Sequence, residues 1–410
     1  MTIDLEALYT DLHRNPELSY AEHRTAGIVA DNLTALGLTV TTGIGGTGVV
    51  GVLENGQGPT VLLRADMDGL PVEEATGLDY ASNARGIDPD GHDVPVMHAC
   101  GHDVHVTCLL GAVERLNGTR SEWSGTLVAL FQPAEELGSG ALKMLADDLY
   151  DRVPKPDIVL GQHVTPFPAG MLGAHEGPAF AATNNVNVHL IGQGGHGSRP
   201  ETTVDPIVMA AATVMRLQGI VAREVASSDS AVVTVGTLHA GTKVNIIGPD
   251  ATLGINVRSY DALVRDHVLA AITRIVEAEA AASGALLKPE ITHTDALDAL
   301  VNDADATQRT MAAFRSRFGD ERVVDPGAVS GSEDVGQLAT AAGVPLVYWL
   351  IGGSDPQQYA TAVAAGRVEH DIPSNHSPYF APVLQPTLDT GVAALETAAR
   401  EWLAPAVAVE

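Results

Sequence analysis

Val61-Leu62-Leu63-Arg64-Ala65-Asp66 is a short apolar run that breaks off into charge, and the pattern returns twice. Thr126 to Phe131 runs into Pro133-Ala134-Glu135-Glu136, and Ile158-Val159-Leu160 runs into Gln162-His163. Continuous apolar runs of this length suit strands buried on both faces, as in a parallel sheet. Helical spacing lies between them, near Val104 to Leu116 and Ala141 to Leu149. The expected fold class is therefore α/β, with helices on both faces of a sheet. In such sheets ligands gather at the carboxyl ends of the strands, and all three polar breaks fall there.

Toward the N-terminus, Leu5, Leu8 and Leu12, then Ile28, Leu33 and Leu36, recur at helical spacing. The break at Asn15-Pro16 and the stop at Gly37 predict two helices. Beyond Gly177-Pro178 the period changes. Asn185 to Leu190 alternates, Val204 to Val225 is helical, Ala231 to Leu238 and Thr252 to Val257 alternate, Ala262 to Ala282 is helical, and Leu286 to Thr292 can form a last strand. The order β-α-β-β-α-β is ferredoxin-like. It predicts an inserted α+β domain over residues 178–294, interrupting a domain built from residues 1–177 and 295–410. The α/β pattern resumes with helices over Ala304 to Phe318 and near Asp334 to Ala341, a strand over Pro345 to Ile351, and a closing helix from Thr387 to Leu403.

The 410 residues suffice for about two or three domains. A hydrophobic content of 45% with 18% charged residues fits packed domains, not disorder. With 23 Lys+Arg against 51 Asp+Glu, the formal charge of −28 repels polyanions. Neither nucleic acid nor an anionic membrane surface is expected as a partner. The two cysteines, Cys100 and Cys108, are too few for a disulfide framework, suit a reducing cytoplasm, and could share one helical face. The opening Met1 to Glu6 reads as lacking a secretory signal. The longest apolar stretch, around Gly343 to Leu350, falls short of the ~20 residues of a membrane span. The expected location is cytoplasmic.

The densest chemical cluster is Met97-His98-Ala99-Cys100-Gly101-His102-Asp103-Val104-His105. A thiolate and an imidazole two positions apart can face one point, and they are a donor set that zinc and similar ions favour. A buried cysteine and a solvated histidine would read the same way. Glu135-Glu136 at the end of an apolar strand need a cation or a solvated edge, because burying unpaired charge is expensive. If one binds a metal, its neighbour can act on a metal-activated water; the plain alternative is acids decorating a helix N-terminus. His163 ends another strand and could be a capped structural histidine. His376, in the turn-rich Ile372-Pro373-Ser374-Asn375-His376-Ser377-Pro378, could be a surface loop residue.

Taken together, Arg64 to Pro71, Met97 to His105, Gln132 to Glu136, Gly194-Gly195-His196-Gly197 and Asn375 to Pro378 resemble the M20 metallopeptidase family. More narrowly, they resemble its amidohydrolase branch of aminoacylases, hippurate hydrolases and auxin-conjugate hydrolases. The resemblance runs from Leu12-His13-Arg14-Asn15-Pro16-Glu17-Leu18 to the last helix. It implies a zinc-peptidase-like α/β domain with a ferredoxin-like lid, usually a homodimer through that lid. It further implies Cys100, His102, Glu136, His163 and His376 as ligands of two divalent ions, zinc foremost, with manganese or cobalt as alternatives. Glu135 becomes general base and acid, and Asp66 a carboxylate that orients the site. His196 becomes the residue that reaches the partner subunit's active site and helps hold the oxyanion. Without the resemblance, its glycine-flanked stretch is only a strand-to-helix turn.

Asn245 and Arg258 match substrate-contacting positions; an arginine fork suits a carboxylate, although alone Arg258 could be a surface ion pair. In other branches a metal-binding histidine stands where this chain has Arg64. Two departures are Glu201 after Arg199-Pro200, where many members have histidine, and Val335 after Ser332-Glu333-Asp334, where many have phenylalanine. The implied reaction is cleavage of an N-acyl amino acid to a carboxylic acid and a free amino acid. The alternatives are a carboxypeptidase or dipeptidase using the same metals, or a catalytically silent small-molecule binder. A zinc deaminase is disfavoured because its Pro-Cys-x-x-Cys segment is absent.

Overall fold

The computed structural model describes residues 2–405. By contact the chain divides into two compact units. The first takes the chain up to Gly177, Val301–Gly327 and the chain from Asp334 on; the second takes Pro178–Leu300 and Ala328–Glu333. The second unit thus extends six residues past the expected boundary at 294 and also takes in a short later loop. A loop of this length carries no periodicity, so nothing in its sequence assigns it to either unit.

Along the chain, the longer strands are β1 (Thr39–Ile44), β2 (Gly48–Asn55), β3 (Thr60–Asp66), β4 (Trp123–Gln132), β5 (Ile158–Pro168), β6 (Ala182–Ile191), β7 (Ala231–Ala240), β8 (Asp250–Ser259), β9 (Glu290–Leu297) and β10 (Leu346–Ser354). In the first unit the sheet runs β1-β2-β4-β3-β5-β10, with short strands Leu172–Gly173 and Val323–Val324 beyond β10. β4, β3, β5 and β10 are mutually parallel, and β1 and β2 add an antiparallel margin. The buried runs Val61-Leu62-Leu63, Leu127 to Phe131 and Ile158 to Leu160 fill the centre. Each needs cover on both faces, which is why none alternates.

Helix α1 (His102–Gly118) is buried along almost its whole length and packs against the closing helix α2 (Leu384–Trp402). Cys108 lies inside α1 and Cys100 two residues ahead of it, so the two do not share a helical face. Gly101 separates them with φ +81°, a left-handed conformation that glycine adopts without strain. A Cβ there would also meet Val164 Cγ1 at 2.3 Å.

The second unit is a four-stranded antiparallel sheet, β7-β8-β6-β9, with helices Pro206–Leu217, Gly219–Glu224 and Ala262–Ala282. This is the ferredoxin-like arrangement. Val186, Val188, Leu190, Leu253, Ile255 and Val257 build its core with Met209, Ile272 and Val276 from the helices. The single helix expected over Val204 to Val225 is two, divided at Gly219, where a glycine weakens a helix interior. The last strand begins at Glu290, later than Leu286, directly after Pro289. Proline has no N–H to give a strand ladder. Among the described residues no helix is long and apolar enough to cross a membrane.

Candidate metal centre

Two strand ends, the middle of a third strand and one helix start bring the site together; His163, expected to end its strand, lies within it, because the strand runs on to Pro168. β3 ends at Asp66, β4 leads into the turn carrying Glu135 and Glu136, β5 carries His163, and α1 opens with His102. Glu135 and Glu136 sit in a turn ahead of the helix Gly140–Ala146, not on a helix N-terminus. Cys100, His102 and His163 offer donor atoms within 4.8 Å of one another, as do Cys100, Glu136 and His376. The two triads share Cys100. A third group, His102, Glu135 and Glu136, joins them.

The histidine tautomers follow from their hydrogen bonds. His163 Nδ1 donates to the Val164 carbonyl at 2.7 Å, leaving the Nε2 lone pair 3.5 Å from Cys100 Sγ. His102 Nδ1 donates to Asp68 Oδ1 at 3.2 Å. Its Nε2 is buried with no hydrogen-bond partner, 3.7 Å from Asp66, 3.8 Å from Glu135 and 3.7 Å from Glu136. Glu136 Oε1 is likewise buried and unpartnered. Orphaned buried polar atoms are costly, and these two face each other across a gap too wide for a hydrogen bond. A divalent cation fits that donor set: thiolate, imidazole and carboxylate, with outer carboxylate and carbonyl partners fixing the rings.

The electrostatics point the same way. Burial opposes charge on His102, but Asp66, Asp68 and Glu136 outweigh it and raise its pKa to about 10. Burial and the neighbouring Glu136, Glu135 and Asp66 carboxylates push the Cys100 thiol far up. Burial, with His105 beside it, holds His163 well below the ordinary histidine value. A concentration of acids that protonates a buried imidazole and suppresses a thiolate is what a cation of higher charge relieves.

His376 approaches from a separate loop. Its φ of +69° is left-handed, its N–H donates to the Ala99 carbonyl at 2.8 Å, and its Nε2 lies 3.4 Å from Glu136 Oε2. The neighbouring Asn375 anchors the loop by donating to the Val164 and Cys100 carbonyls. The His376 side chain is 57% exposed, against none for His102, so the centre opens to solvent on the His376 side.

Peptidase family M20/M25/M40 has a sequence model that matches residues 62–400. The chain belongs to this family. As an M20 member it is a metal-dependent amidohydrolase. It is 36% identical to thermostable carboxypeptidase 2 of Saccharolobus solfataricus over 346 residues, 83% of this chain and 84% of that one. It is 35% identical to N-acetyl-L-cysteine deacetylase of Bacillus subtilis, covering 79% of this chain and 74% of the relative. Hippurate hydrolase of Campylobacter jejuni is 41% identical over 63% of this chain and 65% of its own. Among solved structures, a dinuclear metal-binding M20 peptidase of Bacillus subtilis superposes with a TM-score of 0.76 at 26% identity, covering 97% of this chain and 98% of that one.

In this M20 chain Arg64 is wholly buried. It donates to Asp66 Oδ2 at 2.5 Å, Gln132 Oε1 at 3.0 Å and Asp334 Oδ1 at 3.2 Å. Asp66 also accepts from His105 Nδ1 at 2.5 Å. His102, His105 and Arg64 hold its carboxyl well below the usual range despite burial. The sequence reading missed the roles of His105 and Asp68. His105 has both nitrogens engaged, since Nε2 accepts the Val164 N–H at 2.8 Å, so it braces Asp66 and β5. Asp68 accepts from His102, from the Glu135 and Glu136 N–H groups at 3.1 Å, and from Ser19. Spacing carried both signals: His105 follows His102 by three on a helix, and Asp68 follows Asp66 by two.

In the second unit, His196 Nδ1 accepts the Ser198 N–H at 3.1 Å, which puts its proton on Nε2. Gly197 donates to the Asn245 carbonyl at 2.9 Å, so His196 and Asn245 lie on adjoining backbone. Arg258 donates to Ser332 Oγ and the Ser330 carbonyl, both at 3.0 Å. Of the two departures, Glu201 is exposed beside Arg199, and Val335 is buried.

Proposed function

We propose that this chain hydrolyses the amide bond of N-acyl amino acids, releasing a carboxylic acid and a free amino acid. The observation that carries the reading is the pair of donor triads sharing Cys100, with Glu135 adjacent to Glu136 at their edge. Cys100, His102, Glu136, His163 and His376 would hold two divalent ions, zinc foremost, with manganese or cobalt as alternatives. Bound there, such ions would supply Lewis acidity and lower the pKa of water toward neutrality.

Glu135 takes the proton from the attacking water and returns it to the departing nitrogen, because an amine leaves poorly unless protonated. Asp68 keeps His102 oriented through the reaction, and Asp66, held by Arg64 and His105, keeps its negative charge beside the site. His196 of the partner subunit, protonated on Nε2, donates to the oxyanion as the amide carbon becomes tetrahedral. Arg258 receives the amino acid's carboxylate through its positive guanidinium, and Asn245 contacts the substrate.

A homodimer through the second unit is part of this reading. β7 is a sheet edge that carries exposed Val232 and Leu238, the kind of strand that a second copy covers. A cytoplasmic location agrees with two free, buried cysteines. Carboxypeptidase activity is the second reading, favoured by the relative bearing that name at 36% identity. Elemental analysis of untreated protein, combined with product identification from acetyl-, benzoyl- and long-acyl amino acids alongside dipeptides, tests both. Release of free amino acid from the acyl substrates is expected. Turnover of dipeptides alone supports the second reading, and bound metal without turnover of either refutes both.

A further inference from the structure

His13 lies in the last turn of the helix Leu5–Arg14, far along the chain from every residue of the metal centre. Its ring is buried between two carboxylates. Nδ1 donates to Asp103 Oδ2 at 2.6 Å, and Nε2 donates to Glu74 Oε1 at 3.1 Å. Carboxylate oxygens only accept, so the ring carries a proton on each nitrogen. All three side chains are shielded from solvent, and the rings of Tyr9 and Tyr80 flank the histidine. A buried charged triad is a poor way to gain stability, since apolar groups of similar volume often serve as well or better. Its connections explain it better.

The two carboxylates lead to different parts of the centre. Asp103 directly follows His102 in the first turn of α1. Glu74 is fixed in its own loop by the Ser82 N–H at 2.6 Å and by the Thr76 hydroxyl. In that loop the Ala75 N–H donates to the Pro378 carbonyl at 2.8 Å, two residues beyond His376. One imidazole ring therefore joins the segment presenting His102 to the loop packed against the segment presenting His376. We propose that His13 is a positioning residue of the metal centre, a charged clamp that sets the spacing between His102 and His376. The inference rests on the reading of those two residues as metal ligands.

The test is zinc affinity measured by chelator competition on the folded full-length protein. H13Q can still donate to Asp103 but presents a carbonyl to Glu74, whereas H13Q/E74Q restores a complementary pair. H13Q is expected to weaken one of two zinc ions by roughly 10-fold or more, the scale of lost outer partners at metal sites. The double variant recovers part of that loss, and kcat falls more than KM changes. Two ions bound by H13Q as tightly as by wild type overturn the clamp alone. Wild-type protein that takes up no zinc overturns the functional reading and the clamp with it. If the variants do not fold, ¹⁵N-histidine spectra of the wild type decide. Both His13 nitrogens protonated at pH 8, with resonances that move on zinc addition, support the clamp, and a neutral or zinc-insensitive ring refutes it.

Discussion

Among the described residues, two histidines each donate to two carboxylates through both ring nitrogens, one in each unit. His13 lies between Asp103 and Glu74 at 2.6 and 3.1 Å, and His189 lies between Asp250 and Glu290 at 2.9 and 3.1 Å. The chemistry and distances are nearly the same, but the surroundings are not. His13 is sealed, whereas the His189 side chain is 35% exposed on the open face of the second sheet, beside partners more exposed still. Water screens the second pair and leaves it little net value. In the first, neither charge can be removed without stranding the others. His102 differs from both. One nitrogen donates to a carboxylate, and the other makes no hydrogen bond although three carboxylates lie within 3.8 Å of it. Nearby acids therefore do not distinguish a candidate metal ligand from a structural ion pair; a buried ring nitrogen without a hydrogen bond, facing a carboxylate oxygen that also lacks one, does.

The largest effect should arise where donors are left open. Glu135→Gln is expected to lower kcat by roughly 10²–10⁴-fold with metal content unchanged by elemental analysis; near-normal turnover would remove the distinction drawn for this cluster.

The closed pair should speak through pH. Burial opposes charge on His13, but the hydrogen bonds it donates to Asp103 and Glu74 outweigh it and raise its pKa from 6.5 to about 9. A group raised on folding contributes stability that is fully present below its unfolded pKa and is lost as pH rises through the folded value. Denaturant unfolding should therefore show a loss, on the order of 3 kcal/mol at most, between about pH 6.5 and 9. A profile in which H13Q loses as much over that window as wild type would contradict the assignment.

Asp68→Asn removes the carboxylate that orients His102 and should weaken metal binding by roughly 10–100-fold in chelator competition. The smallest effect belongs to the exposed pair. His189→Ala should change unfolding free energy by about 0.5 kcal/mol or less and leave metal content untouched. A larger change would mean that solvent does not screen this face.

Much of the site was legible before folding was considered. The apolar runs leading into Asp66 and Glu135-Glu136 mark strand ends because side chains of a parallel core must be apolar on both faces, whereas the strand carrying His163 does not end there but runs on to Pro168. The resemblance then selected Cys100, His102, Glu136, His163 and His376 from chemically plain neighbours. The single helix expected over Val204 to Val225 and the start of β9 were misread because a glycine and a proline act locally, beneath the apolar periodicity. Asp68 and His105 stood inside quoted motifs, yet nothing in their spacing says which nitrogen or oxygen is already engaged.

Sequence alone determined the elements: periodicity sets which residues form strands or helices, and chain order sets which loops follow them. Only the tertiary structure decided which polar atoms are satisfied. His13 and Glu74 are separated by 60 intervening residues, and His102 and His376 by far more, so their pairing depends on packing that no local pattern encodes. Hydrogen bonds act within about 3 Å in space, and the chain brings such partners that close only when its core has formed.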